Sequence, residues 1–268
     1  MMRTLSLFSG IGGFELAAAA LNCFNVEQFV EIDEDAQYVL RQHYPHIPIH
    51  SDIRTFSATR GQYDCIWGGF PCTGTSNAGK RGGLAHPESS LWWSMLRIIL
   101  EARPSFVVVE NPEGLLVRGG REVVASLRMA GYCVEDPLLV SAKEIGAGHQ
   151  RNRIFIVAYL QDFAQQQYEH QFKSCGADEV RTIAQEARNH FPIPLFIRHG
   201  DGVDIRVPSG LDGLPFHQNI TISDFGAKSR TKGRIRARYA FAKTVMPGQA
   251  YIALKRVQHL AKAFGIID

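Results

Sequence analysis

The sequence lacks an apolar run long enough to cross a bilayer, which takes roughly 20 residues. Its most apolar early stretch, "MMRTLSLFSGIGGFELAAAALNCF", is interrupted by glycines and Glu15, so neither a membrane segment nor a secretory signal is expected there. Paired cysteines are missing too. Cys23, Cys65, Cys72, Cys133 and Cys175 stand at irregular spacings with no C-x-x-C pair. That excludes a disulfide ladder and a C-x-x-C metal site, and it suits a reducing compartment. An excess of one charge is also absent: the net charge is +3, so composition is nearly silent about a polyanionic partner. Neither an internal repeat nor a low-complexity linker occurs. The pyrophosphate fingerprint G-x-G-x-x-G is not matched, which argues against a dinucleotide-dependent oxidoreductase.

What is present is alternation. A chain of 268 residues can bury a sizeable core as one large or two modest domains. The strand patterns "RTLSLF", "VEQFVEID", "YDCIWGG", "SFVVVEN" and "RIFIVAYL" are separated by the helical patterns "FELAAAALNC", "EDAQYVLRQHY", "SLWWSMLRIILEA" and "REVVASLRMAG". This predicts an α/β fold with a largely parallel sheet, helices on both faces, and ligands beyond the carboxyl ends of the strands. The pattern degrades after about residue 161. Residues 162–232 are expected to form a smaller irregular lobe, and 233–268 to return to the first domain through the helix of "GQAYIALKRVQHLAKAFGIID".

The strand ends carry chemistry. "FSGIGGFE" joins a strand to a helix, where glycines admit a ligand close to the backbone and the helix start offers free N–H groups. Glu31 of "VEID" lies roughly 20 residues on, where an acid can hold ribose hydroxyls. Asp52 of "SDI" suits an adenine amino group. A nucleoside cofactor without a diphosphate fits this set, and S-adenosylmethionine is the obvious one.

The third strand runs into "GGFPCTGTSNAGKRGGL". Cys72 stands there among glycines, with Lys80 and Arg81 nearby to favour the reactive thiolate. "SFVVVENPEGLL" delivers Glu110 and Asn111 after an apolar run, so the Glu110 carboxyl should be partly desolvated and able to give a proton. "GHQRNRIFIV" sets Arg151 and Arg153 two residues apart, on one side of an extended chain. A thiolate, a proton-donating carboxyl and guanidiniums beside a methyl donor suit methylation of cytosine at carbon 5. Thiolate addition at carbon 6 makes the ring nucleophilic, the acid stabilises the adduct at N3, and an arginine holds O2.

On these residues the chain resembles the DNA (cytosine-5) methyltransferases of bacteria and phages. "LSLFSGIGGFELA", "VEID", "SDI", "GGFPCTGTSNAGKRGGL", "VVVENPEGLL" and "GHQRNRIFIVA" are similar, in order, to the family's cofactor loop, ribose acid, adenine acid, nucleophile loop, glutamate strand and arginine strand. The resemblance implies a Rossmann-like S-adenosylmethionine-dependent methyltransferase fold over residues 1–161. With it comes a small target-recognition lobe and flipping of the target base out of duplex DNA. It implies Cys72 as nucleophile, Glu110 as the N3 partner, and Arg151 and Arg153 as the base-orienting pair. Phe8, Gly10, Gly12, Gly13, Glu31, Ile32, Asp52, Ile53, Phe70, Thr244 and Val245 would line the cofactor pocket, with no metal. It further implies a cytoplasmic monomer in a bacterial or phage-infected cell, with any restriction endonuclease acting separately. Within the basic stretch "KSRTKGRIRAR", which has six Lys/Arg and no acid, "RTKGRIRAR" is the candidate for phosphate contacts, and "VPSGLDGLPF" for a turn near the groove.

The chain departs from the family at three places. Thr73, Gly74 and Thr75 precede Ser76 where glutamine and phenylalanine are usual, Pro112 follows Glu110-Asn111 in place of valine, and Ala242-Lys243 stand where glycine-asparagine is expected. Two alternatives stay open: methylation of cytosine in transfer RNA, and a catalytically silent DNA-binding relative.

Overall fold

Side chains alternate along "MRTLSL", yet both faces of this first strand are covered: Leu5 and Leu7 enter one apolar cluster, and Met2 enters another. A strand buried on both faces belongs at the centre of a sheet with helices on each side. In the computed structural model, residues 1–71, 90–147, 150–166, 177–191, 195–199, 202–206 and 244–268 are described. Among them β1 (Met2–Leu7) lies between β2 (Phe24–Val30) and β4 (Cys65–Gly68), parallel to both. β3 (Ile49–His50) extends the sheet beyond β2, and β5 (Phe106–Pro112) follows β4, again in parallel.

The direction then reverses. β8 (Asn152–Leu160) is antiparallel to β5, and it pairs antiparallel with β6 (Tyr132–Val134) and β7 (Leu138–Ser141). The order is β3-β2-β1-β4-β5-β8-β6, with β7 on β8. The mostly parallel sheet of the expectation is thus observed, with an antiparallel edge. The sequence pattern does not announce β3, β6 and β7, because segments of 2 to 4 residues are too short to show a period.

One face is covered by α1 (Gly13–Leu21), α6 (Ala177–His190) and α7 (Pro247–Ala263), which bury Phe14, Ala17, Ile183, Ala187, Leu254 and Val257 against Trp67, Phe106 and Phe155. The other is covered by α3 (Leu91–Ala102) and α4 (Gly120–Met129), with Trp92, Ile98 and Leu127 against Leu5, Leu7, Ile66 and Val107. Each such fully buried apolar side chain contributes about 1.5–3 kcal/mol. The C-terminal helix α7 packs into the same core as α1, and Ile183 and Ala187 of α6 share it. α2 (Glu34–His43) starts at Asp33, whose carboxylate accepts from the N–H groups of Asp35 and Ala36, and α5 (Gln161–Gln166) follows β8. β9 (Leu195–His199) and β10 (Gly202–Arg206) form an antiparallel pair.

Candidate active site

The parallel strands β1 to β5 all end on one edge of the sheet. Because β8 runs the other way, its first residues reach that same edge, and Arg151 and Arg153 therefore meet the ends of strands that precede them by dozens of residues. Pro112 pairs with Arg153 in the ladder, so Glu110, two residues earlier on the same face, is its diagonal neighbour. The Arg153 Nε lies 2.7 Å from Glu110 Oε1.

Two effects oppose each other at Glu110. Burial lifts its carboxyl above the usual range, and the nearby Arg153 and Arg151 pull it back; burial is the larger effect. The group is thereby kept able to hold a proton while staying hydrogen-bonded. The opposite side of the arginine pair is also tied down, since Asn152 Nδ2 donates to Glu113 Oε2 at 2.7 Å. Gly69 is needed beneath the carboxyl: a Cβ there would run into Glu110 Oε2. Asn111, fully buried, donates to the Phe70 carbonyl at 2.9 Å, and Phe70 packs against Trp92 with ring centroids 5.7 Å apart. β5 thus holds the backbone that leads into residue 72.

Beside this lies the glycine loop. Phe8, at φ 53°, and Gly10 and Gly12, at φ 57° and 93°, turn the chain from β1 into α1 through left-handed conformations. Glu31, almost fully buried, bridges the loop to the end of β2: its Oε2 accepts from Gly10 N at 2.7 Å and its Oε1 from Asp33 N at 2.8 Å. Ile32 next to it is 64% exposed, an apolar side chain held out at the rim. Asp52 also reaches the rim, but its carboxylate is gripped by Arg54 through Nε and Nη2 at 2.7–3.0 Å, which pulls its pKa down. Ile53 points inward and is buried with Phe56.

Thr244 and Val245, far away in sequence, close over the loop. Ile11 N approaches Thr244 Oγ1 at 3.4 Å, a Cβ on Gly10 would stand 2.9 Å from that same oxygen, and one on Gly13 would collide with the Val245 carbonyl. Arg151 Nη2 donates to the Thr244 carbonyl at 2.7 Å.

The structure therefore brings together Glu110, Arg151 and Arg153, and beside them Phe8, Gly10, Gly12, Gly13, Glu31, Ile32, Phe70, Thr244 and Val245. Ile53 lies in the core behind. Cys72, Lys80, Arg81, Ala242-Lys243, "KSRTKGRIRAR" and "VPSGLDGLPF" lie outside the described residues. Sequence reasoning missed Arg54 as the partner of Asp52, although the D-x-R spacing was visible. It also missed Gln249 on α7, for which nothing in the local pattern gives a signal. Among the described residues no group of three or more His, Cys, Asp or Glu side chains could hold a metal, and no helix is long and apolar enough to cross a membrane.

This sheet, with its reversed strand and its loops at one edge, is the Rossmann-like α/β fold of the S-adenosylmethionine-dependent methyltransferases. The profile of the C-5 cytosine-specific DNA methylases matches residues 2–194, and the chain belongs to that family. It is 36% identical over 164 residues to the type II methyltransferase M.CviJI of Paramecium bursaria Chlorella virus IL3A, covering 60% of this chain and 44% of that one. It is 33% identical over 166 residues to M.HpaII of Haemophilus parainfluenzae, covering 58% and 45%. The chain thus spans about half the length of the curated relatives it matches. Among solved structures, the Dnmt2 methyltransferase of S. pombe shares the fold with a TM-score of 0.50 at 21% identity, covering 68% of this chain and 60% of that one.

Proposed function

We propose that this chain methylates carbon 5 of cytosine in duplex DNA at a short sequence, with S-adenosylmethionine as donor. The observation that carries the reading is the buried Glu110 carboxyl, hydrogen-bonded to Arg153 and carried by β5, the strand next to β4, which ends four residues before Cys72. The donor's chemistry is an electrophilic methyl group. Glu31 would hold its ribose: each carboxylate oxygen accepts one backbone N–H and keeps a lone pair for a hydroxyl. Ile32 offers an apolar face to the adenine, whose amino group would share Asp52 with Arg54. The glycine loop and Thr244-Val245 would enclose the rest.

On the base side, Cys72 adds its thiolate sulfur to carbon 6 while Glu110 gives its proton to N3 and an arginine of the pair donates hydrogen bonds to O2. Carbon 5, now electron-rich, would take the methyl group from the donor's sulfonium sulfur, leaving S-adenosylhomocysteine. Loss of its hydrogen as a proton, return of the N3 proton and departure of the thiolate restore the aromatic ring. Base flipping is required because stacking shields carbon 6. Residues 1–161 would carry this chemistry, part of 162–232 would read the target, and 233–268 would complete the donor side. The chain would act as a monomer in the cytoplasm, apart from any restriction endonuclease.

Two assays test the reading. Labelled methyl transfer by the purified chain is compared on duplex DNA and on transfer RNA, and DNA from an expressing host is sequenced after bisulfite treatment. Label in DNA at a defined cytosine is expected; label in transfer RNA alone, or none, would overturn the substrate or the activity.

A further inference from the structure

The start of α7 carries a polar side chain that the proposed chemistry does not use. Gln249 is fully buried, and its amide donates to two backbone carbonyls, that of Arg151 at 2.7 Å and that of Val140 at 2.8 Å. Its neighbours Ala250, Ile252 and Ala253 are buried in the apolar core, so packing alone calls for no amide here. A buried amide whose two N–H groups are both matched to carbonyls fixes backbone position more tightly than apolar contact does.

The two carbonyls belong to β7 and to the residue just before β8. From Arg151 the contacts continue. Its guanidinium donates to the Thr244 carbonyl at 2.7 Å, and the Thr244 hydroxyl lies 3.4 Å from Ile11 N at the glycine loop. Gly10 of that loop donates to Glu31 at 2.7 Å. Gln249 and Thr244 are joined through the turn into α7, which closes the path into a ring.

We infer that Gln249 is a positioning residue: by fixing the Arg151 backbone it sets the guanidinium against Thr244, and so couples the arginine pair to the glycine loop. Being fully buried, its side chain is not offered to a base or a donor. The inference rests on the proposed reading of the glycine loop as the donor site, and it adds that donor affinity depends on residues that never contact the donor.

Calorimetric binding of S-adenosylhomocysteine to the full chain tests this without DNA. Gln249→Leu, which keeps the bulk and removes the amide, and Arg151→Lys should each weaken binding roughly five- to tenfold. The double variant should be no more than about twofold weaker than the poorer single one, because both changes break the same ring. Thermal melting accompanies each measurement, since a purely structural glutamine would lower the melting temperature and leave affinity alone. Unchanged affinity in either folded single variant, or losses that multiply, would overturn the inference. Should Gln249→Leu fail to fold, Arg151→Lys with Thr244→Val forms the second cycle, with the same expected non-multiplicative loss and the same overturning result. A wild-type chain that does not bind S-adenosylhomocysteine overturns the donor-site reading and this one with it, whereas binding with independent losses overturns this one alone.

Discussion

Glu110 and Arg153 stand diagonally across two antiparallel strands, 2.7 Å apart, with the carboxyl buried and its pKa raised in spite of two neighbouring arginines. An ion pair built only for stability would gain from an ionised acid. Here desolvation outweighs the arginines, so the carboxyl keeps its proton to higher pH than a free carboxyl would, at a place where it can be given away.

Replacing Glu110 by Gln should therefore lower the maximal rate by about 10²–10⁴-fold while leaving affinity for S-adenosylhomocysteine within about twofold. The wild-type rate should fall as pH rises through the raised value of Glu110, because the reacting form is the protonated acid. Single-turnover transfer of labelled methyl across a pH series checks both. A variant as fast as wild type removes Glu110 from the chemistry.

The glycine loop makes a steric prediction. A Cβ at Gly13 would collide with the Val245 carbonyl, which is backbone and cannot swing aside. Gly13→Ala should cost about 1–3 kcal/mol of stability and weaken donor binding about tenfold or more. Melting curves and calorimetry with S-adenosylhomocysteine measure the two effects, and an alanine variant that binds normally would mean the loop and residues 244–245 do not close together.

Much of this site was legible because each piece sits where a periodic pattern breaks. Strand-like runs ending in "GIGG", "VEID", "ENP" and "GGFPC" point to one edge of a parallel sheet from the pattern alone. What periodicity does not carry is direction. "RIFIVAYL" looks the same parallel or antiparallel, yet only the antiparallel choice brings Arg153 to Glu110. The D-x-R spacing of Asp52 and Arg54 is visible but does not say whether Asp52 serves its neighbour or a ligand, and the reach of Gln249 to Arg151 is silent because it joins residues 98 positions apart. α6 is polar enough on its outer face to resemble a peripheral segment, while its Ile183 and Ala187 are fully inside.

Glu15 carries a prediction about pH and stability. It is buried in the first turn of α1, where Trp67 Nε1 donates to its Oε1 at 3.1 Å and its Oε2 has no hydrogen-bond partner among the described residues; burial raises its pKa, more than Ser6 and Trp67 pull it back. Below the ordinary carboxylate range both folded and unfolded chains hold this proton, and no penalty arises. As pH rises through the elevated folded value, the native state must ionise a buried group and stability is lost. Glu15→Gln should match wild type in acid and exceed it increasingly toward neutrality. The difference between their melting temperatures, followed from about pH 4 to pH 8, checks this; a constant difference would show that Glu15 does not titrate in that window.

Asn111 offers the sharpest separation of positioning from binding. Its amide holds the Phe70 carbonyl at 2.9 Å, so the chain that leads into Cys72 is tied to the same strand that presents Glu110. Removing the amide leaves that carbonyl without this donor, at a cost of about 1–3 kcal/mol, and loosens the approach to residue 72 without touching the glycine loop. Asn111→Ala should thus lower the rate of covalent trapping by a 5-fluorocytosine duplex about tenfold or more, with donor affinity nearly unchanged. Asn111→Asp should be worse, because a carboxylate would face the carbonyl oxygen and repel it. Equal trapping rates in all three proteins would mean that the nucleophile loop takes its position from elsewhere, and that the link from β5 to Phe70 serves packing alone.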